Sequence, residues 1–557
     1  MPQPEHEKLV REYEKVIDEG YLDLPLLQRP LQSAVYGVLG AYDSHLVTLR
    51  TIQQANGCET LTVSQVQILK SLSEGLTWSL RWLLASNPLT DISPTQDRTL
   101  IDEGGELIKY GADYFMLSMM YSQYSQGTAM AVANKSEQRV RFTYDPNHLP
   151  ANNGWGFFDD VMNDQSTPAL HHTQARLSDL VAENMKKVPY QLLDGRIVLD
   201  DLSMLANDAM QEWFSMMCGI HHLFPPETSL GDFTIGQLNQ FWRALASWSV
   251  SLNELYLKLF ARGVPQESCL PTQVVERASF LKAISELSGV SLATTDKITS
   301  MLTFNPDNSK SDAFLQPFIC TEDKIAWSTY IVHGSRFQRN FLKLMARRPC
   351  LKRLADNIIG DREQKLLADV RTYLENKGWT ILLNIRIQMR EECEIDLLGF
   401  HEQFPHEALV LEVKAFLQVD ETNEIKSATK ELNRGREQVL RVIRNLKSAS
   451  ESQLGAIGAK GSWRHVTDFY GALITPETEP GISFDQLPIP AASWRTIRSK
   501  LVKRDWRGPG SFWRALANRK WHKGVRNAKF SHAEIELAGV TFEIPLIELG
   551  ADSFSDK

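Results

Sequence analysis

Alternating hydrophobic and polar positions in the middle of the chain predict two antiparallel strands that carry charged residues. Residues 393–400 (CEIDLLGF) and 408–416 (ALVLEVKAF) lie on either side of a turn around Pro405. Side chains alternate between the two faces of a strand, so the second segment presents one wholly apolar face. That apolar face consists of Leu409, Leu411, Val413 and Ala415. The opposite face carries Glu412 and Lys414.

A hairpin centred near residue 404 brings Asp396 opposite Glu412, because opposed residues keep a constant sum of residue numbers. Two carboxylates and the ammonium group of Lys414 then meet on one patch of an otherwise apolar sheet. Burying such charges costs several kcal/mol unless a partner compensates them. A divalent metal ion bound by Asp396 and Glu412, with Lys414 beside it, would be such a partner. An exposed cross-strand charge pair is the simpler alternative.

The segment before this hairpin predicts an amphipathic helix that directs one carboxylate towards the core. This helix covers residues 361–377 and ends at Gly378. Its apolar stripe, at helical spacing, consists of Leu366, Leu367, Val370 and Leu374. Glu363 lies on the same stripe, one turn earlier, so its carboxylate also needs a partner. Residues 379–389 (WTILLNIRIQM) then predict a strand.

The segment after the hairpin completes the order of elements. Residues 424–446 predict a helix that contains the sequence RGREQVL, and residues 469–475 (FYGALIT) predict an apolar strand. This order resembles the PD-(D/E)XK nuclease superfamily, which includes many restriction endonucleases and junction resolvases. The resemblance covers roughly residues 355–475 and is carried by Glu363, Asp396, Glu412 and Lys414, with Gln438 as a helper. Ile395 stands where the family has a proline before the aspartate.

The resemblance implies a restriction-endonuclease-like α/β domain with a mixed central sheet and a nuclease activity that depends on Mg²⁺ or Mn²⁺. It assigns the metal to Asp396, Glu412, Glu363 and the carbonyl group of Val413. It assigns to Lys414 the orientation or deprotonation of the attacking water and the stabilisation of charge on the phosphate. Gln438 would hydrogen-bond that water or the phosphate, and a solvent-facing helix glutamine is the alternative.

Length and composition are those of a multidomain globular protein. Of the 557 residues, 43% are hydrophobic and 23% are charged, which is ordinary for a folded chain. No apolar run approaches the roughly 20 residues of a membrane span, and the first residues (MPQPEHEKLV) lack a secretion signal pattern. The six cysteines form no CxxC pair, which argues against zinc fingers and disulfide frameworks. We therefore expect a cytoplasmic protein without a membrane partner.

Helical periodicity dominates the first 350 residues, so we expect an α+β multidomain protein with its main boundary near residue 350. The predicted helices of this region are residues 61–85, 105–120, 173–187, 200–223, 234–262 and 335–347, with capping-box patterns at Thr62 and Thr234. A loop within residues 145–156 is expected to divide the region, and residues 317–327 predict a short hairpin. The region is expected to sense, restrain or assemble, which leaves open a homo-oligomer or a partner protein. Residues 351–490 are then the nuclease domain, and residues 491–557 its basic, Trp-rich extension with C-terminal strands.

Charge is distributed unevenly along the chain. The net charge is −8, and the first 350 residues carry about −10 while the rest is slightly positive. Residues 494–529 hold twelve Lys and Arg against one acid, Asp505, with four interleaved tryptophans. Basic side chains neutralise phosphates and aromatic rings stack on exposed bases, so this tract is the predicted nucleic-acid interface. A solvated basic surface with structural tryptophans is the alternative. The expected contacts are Arg498, Lys500, Lys503, Arg504, Trp506, Arg507, Trp513, Arg514, Lys520, Trp521 and Lys523.

Together these features predict a metal-dependent nuclease, above all a DNA endonuclease. Fusions of a helical region to such a nuclease are typical of bacterial restriction and anti-phage defence, which is an analogy at the level of architecture. A nuclease of an RNA or DNA-repair pathway is the first alternative. A nucleic-acid-binding scaffold that has lost catalysis is another, and the intact set of Glu363, Asp396, Glu412 and Lys414 argues against it. A helical interaction protein with an incidental charged strand is the third.

Overall fold

A computed structural model gives the arrangement of the chain. It describes residues 4–55, 63–85, 88–95, 97–125, 129–144, 189–193, 196–199, 225–262, 264, 270–306, 311–334, 337–388, 392–415, 422–457, 465–476, 489–498, 508–518 and 529–548. Within these residues, none of the helices is both long enough and apolar enough to cross a membrane. Helices and mixed sheets together make an α+β protein.

The first 350 residues fold mainly as helices, as their periodicity predicts. The elements of this region are α1 (Pro4–Glu19), α2 (Leu31–Ala55), α3 (Val63–Ala85), α4 (Arg98–Ser125), β1 (Ala129–Asn134), β2 (Arg139–Tyr144), β3 (Tyr190–Leu193), β4 (Arg196–Leu199), α5 (Ile235–Ala261), β5 (Gln273–Glu276), α6 (Arg277–Ser288), α7 (Leu292–Met301), β6 (Ile319–Cys320), β7 (Lys324–Trp327), α8 (Thr329–Gly334) and α9 (Phe337–Arg347). Four predicted helices correspond to α3, α4, α5 and α9. The predicted hairpin forms as β6 and β7, and β5 joins it. The helices predicted at 173–187 and 200–223, and the loop within 145–156, lie outside the described residues.

Helix α5 is buried on nearly every side, which shows that it lies at the centre of this region. Trp242 on this helix stacks on Phe337, with ring centroids 4.1 Å apart. The predicted capping box fixes where the helix begins. The N–H of Gln237 donates to Oγ1 of Thr234 at 3.2 Å, and the N–H of Thr234 donates to Oε1 of Gln237 at 2.9 Å. This capping box is therefore confirmed, whereas Thr62 lies outside the described residues.

The following part of the chain forms a five-stranded sheet between two layers of helices. Its elements are α10 (Pro349–Glu375), β8 (Trp379–Gln388), β9 (Glu392–His401), β10 (Glu407–Val413), α11 (Thr422–Ser448), α12 (Glu451–Ala456), β11 (Asp468–Thr475), β12 (Ala491–Ser493) and α13 (Pro509–Asn518). The strand order is β12-β11-β10-β9-β8. Pairing is antiparallel from β8 to β10 and parallel from β10 to β12, so the predicted mixed sheet is confirmed. Helices α10 and α13 pack on one face and α11 packs on the other. The edge of the sheet where β10, β11 and β12 end is called the carboxyl edge below.

Helix α10 belongs to two hydrophobic cores. Its first half contributes Ala355 and Ile358 to the core of the N-terminal region. Its second half contributes Leu366 and Leu374 to the core beneath the five-stranded sheet. The helix therefore begins at Pro349 rather than near residue 361, because the N-terminal core offers it a second apolar surface. One continuous helix, and not a linker, crosses the predicted boundary near residue 350.

The C-terminal strands join the N-terminal region. Strands β13 (Lys529–Leu537) and β14 (Val540–Glu548) form a hairpin in a second sheet with the order β1-β2-β14-β13. Arg139 of β2 makes ion pairs with Glu543 at 2.6 Å and with Glu534 at 3.2 Å. The apolar face of this sheet packs on α1 and α4. The expectation that residues 491–557 extend the nuclease domain is wrong for these two strands, because the N-terminal helices bury their apolar face.

Candidate active site

The hairpin of β9 and β10 has the register that its sequence predicts. Ala408 pairs with Phe400, and Leu411 pairs with Leu397. The next residues along the two strands are therefore Glu412 and Asp396. Leu411 and its alternate neighbours on β10 point into the core on the α10 side, which turns Glu412 towards α11. The predicted register is confirmed as far as Leu411, and the predicted apolar face is confirmed for Leu409, Leu411 and Val413. The strand ends at Val413, so Lys414 and Ala415 follow it instead of lying on its two faces.

Strands β9 and β10 separate at Asp396. Their backbone pairing ends at Leu411, and the N–H of Val413 donates instead to Oδ2 of Asp396 at 2.7 Å. On the other side of β9, the residue opposite Asp396 is Asn384, which interrupts the pairing of β8 with β9. Asn384 has a φ of 49°, a left-handed conformation that asparagine tolerates better than most residues. The sheet is thus irregular around the candidate site on both sides of Asp396.

Glu412 and Lys414 form an ion pair on the α11 side of the sheet. Nζ of Lys414 lies 2.6 Å from Oε1 of Glu412, and the glutamate side chain is 3% exposed against 24% for the lysine. Gly435 of α11 lies against both side chains, since a Cβ atom on it would lie 3.3 Å from Cε of Lys414 and 3.6 Å from Cγ of Glu412. The ion pair is therefore enclosed between β10 and α11, and the lysine is its more exposed member.

Glu363 reaches the same end of β10 from the opposite face of the sheet. It is half-buried on α10, and its Oε2 atom accepts a hydrogen bond from the N–H of Ala415 at 3.3 Å. Leu366 and Leu367, one turn further along the helix, are buried in the core and fix the rotation of α10. Three carboxylates and one ammonium group, supplied by α10, β9 and the end of β10, therefore meet at the carboxyl edge.

Burial makes the carboxyl groups of this site hard to ionise. Burial, followed by the nearby Asp396 carboxylate, raises the pKa of Glu412 to about 7, although Lys414 acts in the opposite direction. Burial also raises the pKa of Asp396 and the pKa of Glu363, against the backbone hydrogen bonds that they accept. Burial alone would lower the pKa of Lys414, but the three carboxylates raise it, Glu412 most of all. The site therefore favours additional positive charge.

The donor set suits a hard divalent cation, although its atoms are not arranged around one. Mg²⁺ prefers oxygen ligands, and Glu363, Asp396 and Glu412 supply three carboxylates at one strand end. Within the part of the chain that the structure describes, no three His, Cys, Asp or Glu side chains have the arrangement of metal ligands. The three carboxylates are directed instead to Lys414 and to two backbone N–H groups. Lys414 already holds Oε1 of Glu412 at 2.6 Å, so a cation at this site would compete with Lys414 for that oxygen.

Gln438 connects α11 to β9. Its Nε2 atom donates to the carbonyl oxygen of Glu394 at 3.2 Å, two residues before Asp396. Its side chain is partly exposed and lines a small cleft with Cys393, Glu394, Arg434, Glu437 and Arg441. This hydrogen bond to Glu394 therefore helps to position α11 over β9. That Gln438 hydrogen-bonds the attacking water or the phosphate stays a prediction.

Only part of the basic tract lies within the described residues. Trp494 is buried and meets Tyr373 of α10 edge to face, with ring centroids 5.3 Å apart, so it is a core residue. Arg498 is exposed and follows β12, which ends at the carboxyl edge. Trp513 and Arg514 lie beside Tyr470, near the beginning of β11 and away from that edge. The other expected contacts, Lys500, Lys503, Arg504, Trp506, Arg507, Lys520, Trp521 and Lys523, lie outside the described residues.

Two residues beside the site had no part in the sequence-based prediction. Asn384 occurs in an ordinary strand pattern, and that pattern does not predict its left-handed backbone conformation. Gly435 lies inside a helix of 27 residues, where glycine is unfavourable. A glycine in the interior of a strongly amphipathic helix was therefore a signal that could have identified a close approach.

No protein-family model, curated protein or solved structure matches the chain. A functional assignment therefore depends on Glu363, Asp396, Glu412 and Lys414 and on the sheet that holds them.

Proposed function

We propose that the protein is a metal-dependent nuclease that hydrolyses phosphodiester bonds of nucleic acid, with DNA as the expected substrate. The observation that carries this proposal is the meeting of Glu363, Asp396, Glu412 and Lys414 at the carboxyl edge of the sheet. Burying charged groups costs free energy, whereas apolar residues in the same places would not have this cost. Packing therefore does not explain why these groups are present. The order of elements and the mixed sheet support a restriction-endonuclease-like fold for this part of the chain.

Glu363, Asp396 and Glu412 are the side chains that would hold Mg²⁺ or Mn²⁺, together with the carbonyl group of Val413. The ion, when bound, would polarise the scissile phosphate and lower the pKa of a coordinated water. Burial is the main reason why the pKa of each of these three carboxyl groups is raised, so a cation beside them would favour their ionised forms. Val413 helps to hold the donor set together, since its N–H already fixes Asp396.

Lys414 would act on the substrate rather than as a metal ligand. Its ammonium group neutralises Glu412 in the described structure, at 2.6 Å, and retains 24% exposure of its side chain. The ammonium group would donate hydrogen bonds to the phosphate or to the attacking water and stabilise the negative charge of the transition state.

Basic residues near the carboxyl edge would contact the phosphate backbone. Arg498 is exposed there, and α11 passes directly over the site. The exposed basic residues of α11 include Lys430, Arg434, Arg441 and Arg444. Arg436 is excluded, because it is 1% exposed and its Nε atom donates to the carbonyl oxygen of Ile489 at 3.2 Å. Contacts of this kind bind nucleic acid with little sequence preference and weaken steeply with salt.

Cleavage assays on point variants test the proposal. Asp396→Ala and Lys414→Ala should each abolish cleavage in Mg²⁺ or Mn²⁺ of single-stranded, duplex and circular substrates, because each removes transition-state stabilisation. Asp369→Ala and Lys377→Ala replace exposed residues of the same two types and should cleave like the wild type. Circular dichroism checks that every variant is folded.

Two outcomes would contradict the proposal in different ways. Wild-type cleavage rates in a folded Asp396→Ala protein would exclude this site as the active site. Salt-sensitive binding of nucleic acid without cleavage by the wild type, with either ion, would favour a scaffold that has lost catalysis.

A further inference from the structure

Gly435 lies in the interior of a long helix, where glycine is unfavourable. Helix α11 has 27 residues, and Gly435 is on its buried side, as are Leu432 and Val439. Glycine loses more backbone freedom on folding than alanine does and weakens a helix. Such a glycine often marks the place where a helix backbone closely approaches another group.

At Gly435 the helix approaches the lysine of the candidate active site. A Cβ atom on Gly435 would lie 3.0 Å from Cδ2 of Leu473 and 3.3 Å from Cε of Lys414. Both distances are shorter than ordinary carbon–carbon contacts of about 3.5–4.0 Å. The aliphatic part of Lys414 therefore lies against the backbone of α11, and its ammonium group extends from there to Glu412 at 2.6 Å.

Two other glycines show what is particular about this contact. The three atoms nearest to a Cβ atom on Gly471 would belong to apolar side chains, those of Val439, Ile443 and Ile489. Gly471 thus makes room for packing alone. A Cβ atom on Gly360 of α10 would meet nothing within 4 Å. Gly435 differs from both, because one of its two closest neighbours is a charged residue of the candidate active site.

We infer that Gly435 is a positioning residue for Lys414. The missing side chain lets α11 support the stem of the lysine, so that the ammonium group is held at Glu412 and beside the other carboxylates. A β-carbon would displace the stem and with it the ammonium group. The contact itself is independent of the proposed function, whereas its consequence for cleavage rests on that function.

Melting temperatures of combined variants test the contact without any activity. Gly435→Ala should lower the melting temperature of the metal-free protein. The loss should be smaller in a Lys414→Ala or a Leu473→Val background, because each removes one of the two atoms that the new methyl group meets. Gly360→Ala is the matched control and should keep or raise the melting temperature, since alanine favours a helix and nothing obstructs it. Strictly additive effects of Gly435→Ala and Lys414→Ala would overturn the inference.

Kinetics separate positioning from packing. Gly435→Ala should lower kcat by up to about tenfold with little change in KM. Relieving the 3.3 Å contact moves the stem of Lys414 by a fraction of an ångström, and misplacing a catalytic group by about 1 Å can cost about 100-fold. In the Leu473→Val background, Gly435→Ala should regain part of the lost melting temperature but none of the lost kcat, since the methyl group still meets Lys414. Gly360→Ala should keep the wild-type kcat.

Recovery of kcat together with the melting temperature in that double variant would overturn the inference, because Gly435 would then act through Leu473 only. If the wild type cleaves no nucleic acid, the proposed function fails. The melting-temperature cycle between Gly435 and Lys414 still decides whether the positioning contact exists.

Discussion

Replacing Glu412 with glutamine should reveal the electrostatic cost of the site in the metal-free protein. The side chain of Glu412 is 3% exposed, and burial with the nearby Asp396 raises its pKa from 4.5 to about 7. The folded protein therefore retains a proton that the unfolded chain loses as pH rises above 4.5. The stability that this group contributes is fully present below about pH 4.5 and is lost as pH rises through about 7.

The size of the effect follows from the two pKa values. The interval from 4.5 to about 7, at 1.36 kcal/mol per pH unit, corresponds to about 3 kcal/mol of unfolding free energy. Glutamine has nearly the same shape and does not ionise. The unfolding free energy of Glu412→Gln, minus that of the wild type, should therefore rise by about 3 kcal/mol between pH 4.5 and pH 8. The attraction between Lys414 and the ionised Glu412 is already contained in the pKa of about 7, which it lowers.

Urea unfolding in the presence of EDTA, measured from pH 4.5 to pH 8, gives this difference. Hydrogen exchange of the β9 and β10 amides assigns the change to the five-stranded sheet rather than to the N-terminal core. Glu375→Gln is the control, because Glu375 is an exposed glutamate paired with Arg371 on α10. A difference between Glu412→Gln and the wild type that stays flat across this pH range would refute the raised pKa and the burial from which it follows.

Three further predictions concern the metal, the backbone and the substrate. Millimolar Mg²⁺ or Mn²⁺ should raise the melting temperature of the wild type through binding to the folded state, and Asp396→Asn should remove that rise. An equal rise in the wild type and in Asp396→Asn would exclude Asp396 as a ligand. Asn384→Val should lower the unfolding free energy by about 1–2 kcal/mol, because a β-branched residue strains the left-handed backbone, whereas Asn384→Gly should not lower it. Equal stability of the two variants in thermal unfolding would contradict this prediction. Arg498→Ala should weaken nucleic-acid binding and its salt dependence more than Arg514→Ala does, because Arg498 follows a strand that ends at the carboxyl edge and Arg514 does not. Fluorescence anisotropy across a salt series tests this ranking, and the reverse order would move the interface to α13.

The local pattern of the sequence determined the elements around the site and the register of its central hairpin. A slip of one residue would have turned Leu409, Leu411 and Val413 out of the core, so the alternation admits a single pairing of β9 with β10. The helical spacing of leucines likewise placed Glu363 on the face that approaches the sheet. These features are predictable because each depends on neighbours a few residues away, or across one short turn.

The tertiary structure alone decided the features that depend on distant parts of the chain. Helix α10 continues back to Pro349 because the N-terminal core covers its first half. The C-terminal hairpin joins the N-terminal region rather than the five-stranded sheet because β2 and two N-terminal helices cover it. Arg139 and Glu543 form their ion pair across a separation of 404 residues. The close approach of Gly435 to Lys414 likewise arises only when α11 packs on β10. Periodicity shows that a face is apolar, whereas the identity of the surface that buries it depends on the packing of the whole chain.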